Sequence, residues 1–539
     1  MGAAAPLSGP DFSQGVTLAQ LPESGTVAGR VGEEPVLLSR LGGELFAVGG
    51  ACTHYGAPLG AGLAADEAVR CPLHHACFSL RTGLALRAPA FDGLPPWVVE
   101  VEGPLVFVRR KAAGASPATP APAPADVQSV VIAGGGAAAF ACADELRRLG
   151  YQGSLVMACA EADPPCDRPN LSKDYLAGAA PEEWIPLRDE DYYRRSAIDL
   201  RLATEIAAID LDSRTAFARG GEAFRYDRLL IATGAEPVRL AGPGFDRADV
   251  HRLRSLADAR AIVARARPGA VAAVIGSSFI GLEAAAALRA RGVAVHVVSK
   301  DLVPFDRLLG SEAGLFLQRL HERNGVIFHL GRTVDGFDGR TLRLDDGAGL
   351  EADFLVVGIG VRPRTALAEA AHLAVGDGVL VDARLETGVS GIFAAGDVAA
   401  FPDPRSGRPV RIEHWVTAQR QGQVAAANML GGDVPFRAVP FFWTEQYGVA
   451  LRFVGGAGWD EIRLDGDVAG GDFTARYYER GELRASASVG RDLDNLEDER
   501  RLEALLGEAA GAPGPGREPS PRSGIQSANA ASGGTHGFL

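Results

Sequence analysis

The sequence is short of cysteine and of long apolar runs, and each shortage excludes a class of protein. Its 539 residues hold only six cysteines, all before residue 167, which is too few for a disulfide framework. No stretch of about 18 apolar residues is present, so no transmembrane helix is expected. The N-terminus lacks the basic start and apolar core of a signal peptide, and Pro6 stands where a myristoylation motif needs Ser or Thr. A reducing cytoplasm is therefore the expected location.

Positive charge is also in deficit, with 54 Lys and Arg against 67 Asp and Glu and a net charge of −13. That balance argues against nucleic acids and anionic membrane surfaces as partners. Hydrophobic residues make up 47% and charged residues 22%, as in ordinary globular proteins. The length is enough for three or four domains of about 150 residues each.

A pair of Cys/His motifs lies in residues 11–110, which otherwise read as a small all-β module of short strands separated by Gly, Pro and Asp. The motifs are Cys52-Thr-His54 and Cys71-Pro-Leu-His74, with sixteen residues between them. Two thiolates and two imidazoles at this spacing suit either a zinc ion or a [2Fe–2S] cluster with two Cys on one iron and two His on the other. Spacing alone leaves both metal centres open.

The residues around those motifs resemble the two cluster-binding loops of Rieske ferredoxin-like domains. The likeness runs through Cys52-Thr-His-Tyr-Gly-Ala-Pro-Leu59 and Cys71-Pro-Leu-His-His-Ala-Cys-Phe-Ser-Leu-Arg-Thr-Gly83. It implies a [2Fe–2S] cluster whose four ligands are Cys52, His54, Cys71 and His74. It also implies that the neighbouring His75 and Cys77 are not ligands.

One departure from the high-potential Rieske pattern bears on the cluster's potential. High-potential domains carry a disulfide between the two loops, but Ala57 and Leu73 stand in the corresponding regions here. Fewer hydrogen bonds to the cluster sulfurs would leave the potential low in the Rieske range of roughly −150 to +300 mV. The resemblance therefore favours a ferredoxin-like carrier.

A glycine-rich turn begins a first dinucleotide-binding fold. A β-branched strand leads through Gly134-x-Gly136-x-x-Ala139 into a helix, with one glycine for the turn, one for the approach of a pyrophosphate and a small residue for close packing. The pyrophosphate would lie on the helix N-terminus. Glu161 follows about 20 residues further on, at the end of a second strand, where a carboxylate can bind ribose.

A second strand, turn and helix repeat the pattern at Gly276-Ser-Ser-Phe-Ile-Gly281. Ser278 replaces the middle glycine, but serine is small enough to keep the turn. Asp301 stands 20 residues after Gly281, where its carboxylate would accept hydrogen bonds from ribose and repel a 2′-phosphate. The sequence therefore favours NADH over NADPH, although Lys300 beside the acid weakens the preference.

Three charged residues lie where a nucleotide could meet them. Arg168 and Lys173 share a polar loop, and they can contact a pyrophosphate and a flavin or be solvated surface charges. Asp397 follows a strand and a glycine, where it can bind ribitol or phosphate or cap a helix.

Two dinucleotide folds, the second inserted in the first, are what a flavoprotein reductase needs. The relevant stretches are Arg168-Pro-Asn-Leu-Ser-Lys173, Gly276 to Glu283, Ala394-Ala-Gly-Asp397, Glu413-His-Trp415 and Pro440-Phe-Phe-Trp-Thr-Glu-Gln446. Together they resemble the FAD-dependent NAD(P)H reductases that include ferredoxin and rubredoxin reductases and apoptosis-inducing factor. The likeness is greatest to apoptosis-inducing-factor-like members with an N-terminal Rieske domain, and it spans roughly residues 11–490.

The resemblance implies roles for individual residues. FAD would be contacted by Gly134, Gly136, Ala139, Glu161, Arg168, Lys173, Arg254, Asp397, Glu413, His414 and Trp443. The nicotinamide dinucleotide would be contacted by Gly276, Gly281, Asp301, Arg307 and Gly360. Lys173 would pair with Glu283 close to flavin N5, and Phe279 would lie near the face where nicotinamide stacks. On the residues alone, Phe279 reads as core and Arg307 as surface, and Glu161 is one place out of the family's register.

The predicted fold class is multidomain, with an all-β Rieske domain, two α/β Rossmann-like domains of glutathione-reductase type and a small α+β C-terminal domain. The C-terminal module serves dimerisation in many relatives.

The predicted boundaries are 11–110 for the Rieske domain, 128–245 with 365–435 for the FAD domain, 246–364 for the NAD domain and 436–508 for the C-terminal domain. A Pro/Ala linker at 111–127 predicts an extended spacer that fixes no single docked position, and the tail at 509–539 is predicted to be disordered.

The expected activity is that of an NAD(P)H:acceptor oxidoreductase of ferredoxin-reductase type. Thiol–disulfide chemistry is not expected, because no C-x-x-C or C-x₄-C pair is present. Electrons would pass from NADH through FAD to an iron–sulfur acceptor, the chain's own Rieske cluster, and then to a ferredoxin, an oxygenase or a haem protein. Two alternatives remain: FAD reduces an external carrier directly, or the protein is an NADH-responsive redox sensor of apoptosis-inducing-factor type. A monomer or a homodimer fits each of these.

Overall fold

The computed structural model describes residues 9–23, 25–112, 127–456 and 458–510. Most of the predicted linker and tail, at 113–126 and 511–539, lies outside these ranges. Lys111 is the last residue of a strand and the final helix continues to Ala510, so regular structure extends slightly beyond the predicted boundaries at both places. No helix in the described ranges is long and apolar enough to cross a membrane.

The N-terminal β domain is built around a strand, Glu34–Leu41, that is buried on both faces. Val36 and Leu38 pack into one core while Leu37 packs into another, because successive side chains of a strand point to opposite faces. The second core includes Cys52 and Cys71. In spatial order, the larger antiparallel sheet consists of Val16–Thr17, Leu105–Lys111, Pro96–Glu102, Glu44–Gly49, Glu34–Leu41 and Gly25–Val31. The smaller sheet consists of Leu63–Ala65, Ala68–Arg70, Cys77–Ser79 and Ala85–Arg87. The Cys71–His74 loop connects two of its strands, and the Cys52–His54 loop lies on the connection from the larger sheet to the smaller one.

The first dinucleotide domain contains a five-stranded parallel sheet. Its central strand, Ser129–Ala133, is apolar after the first residue because helices and small sheets cover both faces. The strand order is Asp199–Arg201, Ser154–Ala158, Ser129–Ala133, Arg228–Ile231 and Ile392–Ala394. The helices are Ala137–Arg148, Arg168–Leu171, Asp174–Ala177, Glu190–Arg195, Ala366–Ala370 and Trp415–Met429. A small antiparallel sheet consists of Ile206–Asp210, Thr215–Ala218 and Ala223–Arg225. A small mixed sheet consists of Val375–Gly376, Gly378–Leu380, Ala399–Pro402 and Pro409–Val410, with its two middle strands parallel.

The second dinucleotide domain repeats this plan and is joined to the first by the strand pair Ala235–Pro237 and Val361–Pro363. Its parallel strands, in spatial order, are Val250–Arg252, Phe354–Val357, Val271–Ile275, Ala294–Ser299 and Val326–Leu330. The helices are Leu256–Arg265, Phe279–Ala290, Asp306–Leu309 and Ser311–Arg323. An antiparallel layer of Val334–Phe337, Thr341–Leu344 and Gly349–Glu351 covers the other face.

The C-terminal domain is an antiparallel sheet followed by a long helix. The strand order is Phe441–Gln446, Val449–Gly455, Glu482–Val489, Asp472–Glu479 and Glu461–Asp467. The C-terminal helix, Asp492–Ala510, packs on this sheet and also contacts the N-terminal β domain. The helix therefore packs between the C-terminal sheet and the N-terminal β domain.

Candidate active site and metal centre

A long cleft runs past the carboxyl ends of the first parallel sheet, where ligands of such sheets bind. It consists of two cavities that share Gly136, Arg168, Ala232, Gly234 and Arg254 in their walls. The polar cavity also contains Gly134 and Glu161, and the more apolar cavity contains Phe279, His414 and Trp443. An elongated cofactor with one polar and one aromatic end fits this cleft.

The glycine turn at the centre of the cleft has the backbone that its predicted role requires. Gly134 has a φ of +141°, and a Cβ there would lie 2.1 Å from the carbonyl oxygen of Ala232. The helix that starts at Ala137 has no side-chain cap on its first turn, so its N–H groups are available to an anion. Ala139 lies at the buried helix–sheet contact and is a packing residue in this structure.

Charged side chains form a chain of ion pairs along the same cleft. Arg168 Nη2 lies 2.6 Å from Glu161 Oε1, and its Nη1 donates to the carbonyl of Arg254 over 3.1 Å. Arg254 Nη2 lies 2.7 Å from Asp397 Oδ2. The Nε of Arg254 is buried and has no hydrogen-bond partner in the described part of the chain. This set fits a pyrophosphate and its sugars.

At the aromatic end of the cleft, Lys173 Nζ lies 2.8 Å from Glu283 Oε2. Glu283 also accepts hydrogen bonds from Ser172 and from Thr444, the latter over 2.7 Å, and only 3% of its side chain is exposed. Phe279 packs between Phe305 and Phe442, with ring centroids 4.3 and 4.6 Å away. Glu283 therefore fixes the Lys173 ammonium at the aromatic end of the cavity.

The Lys173–Glu283 pair gives a stability prediction. Glu283→Ala leaves the Lys173 ammonium, itself 15% exposed, without its carboxylate. We expect the free energy of unfolding to fall by about 3–5 kcal/mol, as when one partner of a buried pair is removed. Denaturant unfolding of Glu283→Ala, Lys173→Met and the double variant measures it. The double variant should recover part of the loss, and additive losses would show that the two groups do not interact.

Two further cavity residues are perturbed by burial. Burial raises the pKa of Glu413 to about 7, although the Arg411 guanidinium that pairs with it opposes the shift. Burial lowers the pKa of His414 to about 4, and its Nδ1 has no hydrogen-bond partner among the described residues. His414 is also the N-cap of Trp415–Met429. Because both side chains line the aromatic cavity, they are placed to hydrogen-bond the polar edge of a bound ring system.

The second dinucleotide turn is as tightly built as the first. Gly276 has a φ of +106°, and a Cβ there would lie 2.3 Å from the carbonyl oxygen of Gly358. Ser278, which replaces the family glycine, donates to that same carbonyl over 2.9 Å. Gly281 has no room for a Cβ, which would approach the carbonyl oxygen of Gly276 to 2.2 Å. Gly360 lines the aromatic cavity.

Two residues predicted for the nicotinamide dinucleotide lie away from these cavities. Asp301 is half-buried just beyond the strand Ala294–Ser299, and Arg307 is exposed on the short helix Asp306–Leu309. Neither side chain lines the cleft. Their roles remain predictions.

The Cys/His loops of the β domain bring four ligand atoms together in two pairs. The neighbouring Cys71 thiol raises the pKa of the Cys52 thiol, and the Nδ1 atoms of His54 and His74 are 3.1 Å apart. Burial lowers the pKa of His54 to about 4, which keeps its imidazole in the neutral form that binds metal. No three Cys, His, Asp or Glu side chains in the described ranges converge as they would around one metal ion. Paired thiols and paired imidazoles fit a two-iron cluster better than a single zinc ion.

The metal-binding end of the β domain faces the aromatic end of the cleft. The rings of His74 and Trp443 have centroids 4.0 Å apart, and Lys173 Nζ lies 5.8 Å from the Trp443 ring. Tyr55 donates a hydrogen bond to Asp167, which directly precedes Arg168. The sequence did not indicate these contacts, because Tyr55 and Asp167 are 112 residues apart and no local pattern links the two loops.

Known proteins share both parts of this arrangement. Residues 128–422 match the model of the pyridine nucleotide-disulphide oxidoreductase family, and residues 16–98 match the Rieske [2Fe-2S] domain. Apoptosis-inducing factor 3 of Homo sapiens is 34% identical over 476 residues, which are 85% of this chain and 78% of that protein. The ferredoxin--NAD(+) reductase component of the anthranilate 1,2-dioxygenase system of Burkholderia cepacia is 38% identical over 67% of this chain and 91% of its own length. The solved covalent putidaredoxin reductase–putidaredoxin complex superimposes with a TM-score of 0.67 at 32% identity, over 70% of this chain and 95% of that one.

The fold and the cleft thus define an FAD-binding NAD(P)H oxidoreductase of ferredoxin-reductase type. The chain belongs to the pyridine nucleotide-disulphide oxidoreductase family and carries an N-terminal Rieske [2Fe-2S] domain. The predicted family and fold class are confirmed. All six cysteines are free and buried.

Proposed function

We propose that this protein oxidises NADH and passes the electrons through FAD to its own Rieske cluster, from which a partner protein takes them. When bound, FAD accepts a hydride and releases electrons singly, and the [2Fe–2S] cluster carries one electron at a time. The contact between His74 and Trp443 carries the proposal. Trp443 lines the cavity for the flavin and also touches a residue that matches a cluster ligand.

The chain's own residues would contribute position and charge. The glycine turn at Gly134 and Gly136, with Arg168 and Arg254, would hold the pyrophosphate. Lys173, fixed by Glu283, would stabilise negative charge on the reduced ring system. The docked β domain packs the His74 ring against Trp443 at this end of the cleft.

Cys52, His54, Cys71 and His74 would hold the cluster. Because His74 is 6% exposed and faces the cleft, an outside acceptor cannot reach it in this arrangement. A ferredoxin, an oxygenase or a haem protein would therefore take electrons from another face of the Rieske domain or after that domain moves.

An anaerobic titration with NADH, followed by visible absorbance and EPR on the same samples, tests the proposal. We expect the flavin band to bleach and a reduced Rieske-type EPR signal to grow as NADH is added. A fully loaded cluster that stays oxidised while the flavin is reduced would overturn the proposal.

The preference for NADH rests on Asp301, whose carboxylate would repel a 2′-phosphate. We expect Asp301→Ala to raise kcat/KM for NADPH relative to NADH by about ten-fold, equivalent to about 1.4 kcal/mol. Steady-state rates with ferricyanide as acceptor measure the ratio. Glu312→Ala, an exposed acid of the same domain, serves as the control. An unchanged ratio in Asp301→Ala would place the coenzyme's ribose elsewhere.

A further inference from the structure

Glu499, on the C-terminal helix, lies at a buried junction of three parts of the molecule. Its Oε2 lies 2.9 Å from Nδ1 of His75 and 3.4 Å from Arg70, both in the Rieske domain. Its Oε1 lies 3.3 Å from Arg420, which belongs to the FAD domain. The Glu499 side chain is fully buried. One carboxylate therefore ties the Rieske domain, the FAD domain and the C-terminal domain together.

A second carboxylate one turn further along the helix strengthens the same junction. Glu503 lies 2.8 Å from Arg70 and 2.6 Å from Arg87, so two arginines of the Rieske domain are held by this helix. Arg452, from the C-terminal sheet, donates to the carbonyl of Leu73 over 3.0 Å. The loop that carries the cluster ligands is thus held from two directions by the C-terminal domain.

His75 shows what this junction does to the ligand loop. It follows the matched ligand His74 and has a φ of +58°, a left-handed conformation that costs energy in a residue other than glycine. Its ring stacks on Phe441 with centroids 4.0 Å apart, and its carbonyl accepts a hydrogen bond from Arg420 over 3.4 Å. Such a conformation persists where its surroundings determine it. Here those surroundings are the loop's own turn, in which the His75 N–H donates to the carbonyl of Cys71, together with side chains of the reductase part of the chain.

Stability alone is a poor explanation for this arrangement. Burying a carboxylate and several guanidinium groups carries a desolvation cost that well-packed apolar residues would avoid. What a buried, hydrogen-bonded network provides instead is one defined arrangement of its parts. Phe441, which stacks on His75, is two residues from Trp443 in the same strand. The network therefore fixes His74 relative to Trp443.

We propose that Glu499 is a positioning residue that holds the His74 loop against Trp443 and thereby sets the rate of electron transfer from the flavin to the Rieske cluster. The proposal rests on the proposed function, since it concerns the same transfer. Glu499 does not touch the cleft, so oxidation of NADH itself should not depend on it.

The experiment compares Glu499→Ala and Glu499→Gln with Glu497→Ala, an exposed acid of the same helix, all as full-length protein loaded with FAD and cluster. Stopped-flow absorbance gives the rate of flavin reduction by NADH, and freeze-quench EPR gives the rate of cluster reduction. In Glu499→Ala we expect flavin reduction within two-fold of wild type and cluster reduction at least ten-fold slower. Glu499→Gln keeps a hydrogen-bond acceptor for His75, so its rate of cluster reduction should lie between those of Glu499→Ala and wild type. Glu497→Ala should match wild type in both rates. Cluster reduction at the wild-type rate in Glu499→Ala would overturn the proposal.

Hydrogen–deuterium exchange provides a readout that does not depend on electron transfer. Amides of residues 71–80 should exchange faster in Glu499→Ala and Glu499→Gln than in wild type or Glu497→Ala. If the wild-type cluster is never reduced by NADH, the proposed function fails, while exchange still shows whether Glu499 holds the loop. If wild type transfers electrons and Glu499→Ala transfers them equally fast, only the positioning role fails, whatever the exchange rates.

Discussion

Replacing Trp443 with alanine is expected to slow reduction of the Rieske cluster by NADH at least ten-fold. That change corresponds to an activation barrier higher by about 1.4 kcal/mol. The indole is the side chain that both lines the flavin cavity and packs on His74, so its removal opens a gap between the two sites. Flavin reduction by NADH should change much less, because Lys173, Glu283 and the glycine turns remain. Single-turnover stopped-flow absorbance with freeze-quench EPR measures both steps.

Two matched variants separate the role of Trp443 from loss of a large aromatic residue. Trp443→Phe keeps a ring at the contact and should lose less than Trp443→Ala. Trp459→Ala removes a half-buried tryptophan of the same domain that packs on Tyr477, away from the cleft. The proposed path would be wrong if Trp443→Ala reduced the cluster as fast as wild type, or if Trp459→Ala slowed it equally.

Cys71→Ala is expected to abolish the cluster, since it removes one of the two thiolates that would hold one iron. The purified protein should lose the Rieske EPR signal and the associated iron. Bound flavin and NADH-dependent ferricyanide reduction should persist, because the cleft is formed by other residues. Metal analysis and EPR of the same sample check both expectations, and they also test for the zinc ion that the Cys/His spacing left open.

The same loop offers a control in Cys77, another buried cysteine that the family resemblance places outside the ligand set. Cys77→Ala should keep full iron content and an unchanged EPR signal. Iron that survives in Cys71→Ala but disappears in Cys77→Ala would reassign the ligands. Zinc in place of iron in the wild-type protein would contradict the proposed electron transfer through the Rieske domain.

Features that depend on neighbours in sequence were predictable. The glycine turns at Gly134 and Gly276 need backbone conformations that glycine adopts readily, so they are visible in the sequence. The paired loops at Cys52 and Cys71 are recognisable because each pair of ligands is local. The helix after the first turn starts at Ala137, within the glycine motif itself, because alanine is a strong helix former.

Contacts between distant parts of the chain were not predictable. Glu499 and His75 are 424 residues apart, and each alone reads as an ordinary charged or loop residue. The Pro/Ala composition of the linker favoured a Rieske domain without one docked position. The structure instead shows a docked domain, because Glu499, Glu503 and Arg452 bury their charges against it. The charges on the two domain surfaces match only after both domains have folded. Such a match between distant surfaces leaves no periodic pattern in the sequence.

The central claim is that electrons cross from the cleft to the Rieske cluster within one chain, at the contact between Trp443 and His74. The most direct test mixes the fully loaded protein with less than one equivalent of NADH under anaerobic conditions and follows cluster reduction by freeze-quench EPR over a ten-fold range of protein concentration. For the step from reduced flavin to reduced cluster, we expect a first-order rate constant that does not change with protein concentration, as transfer inside one chain requires. A rate that rises in proportion to protein concentration, or a cluster that stays oxidised beside a reduced flavin, would contradict the claim.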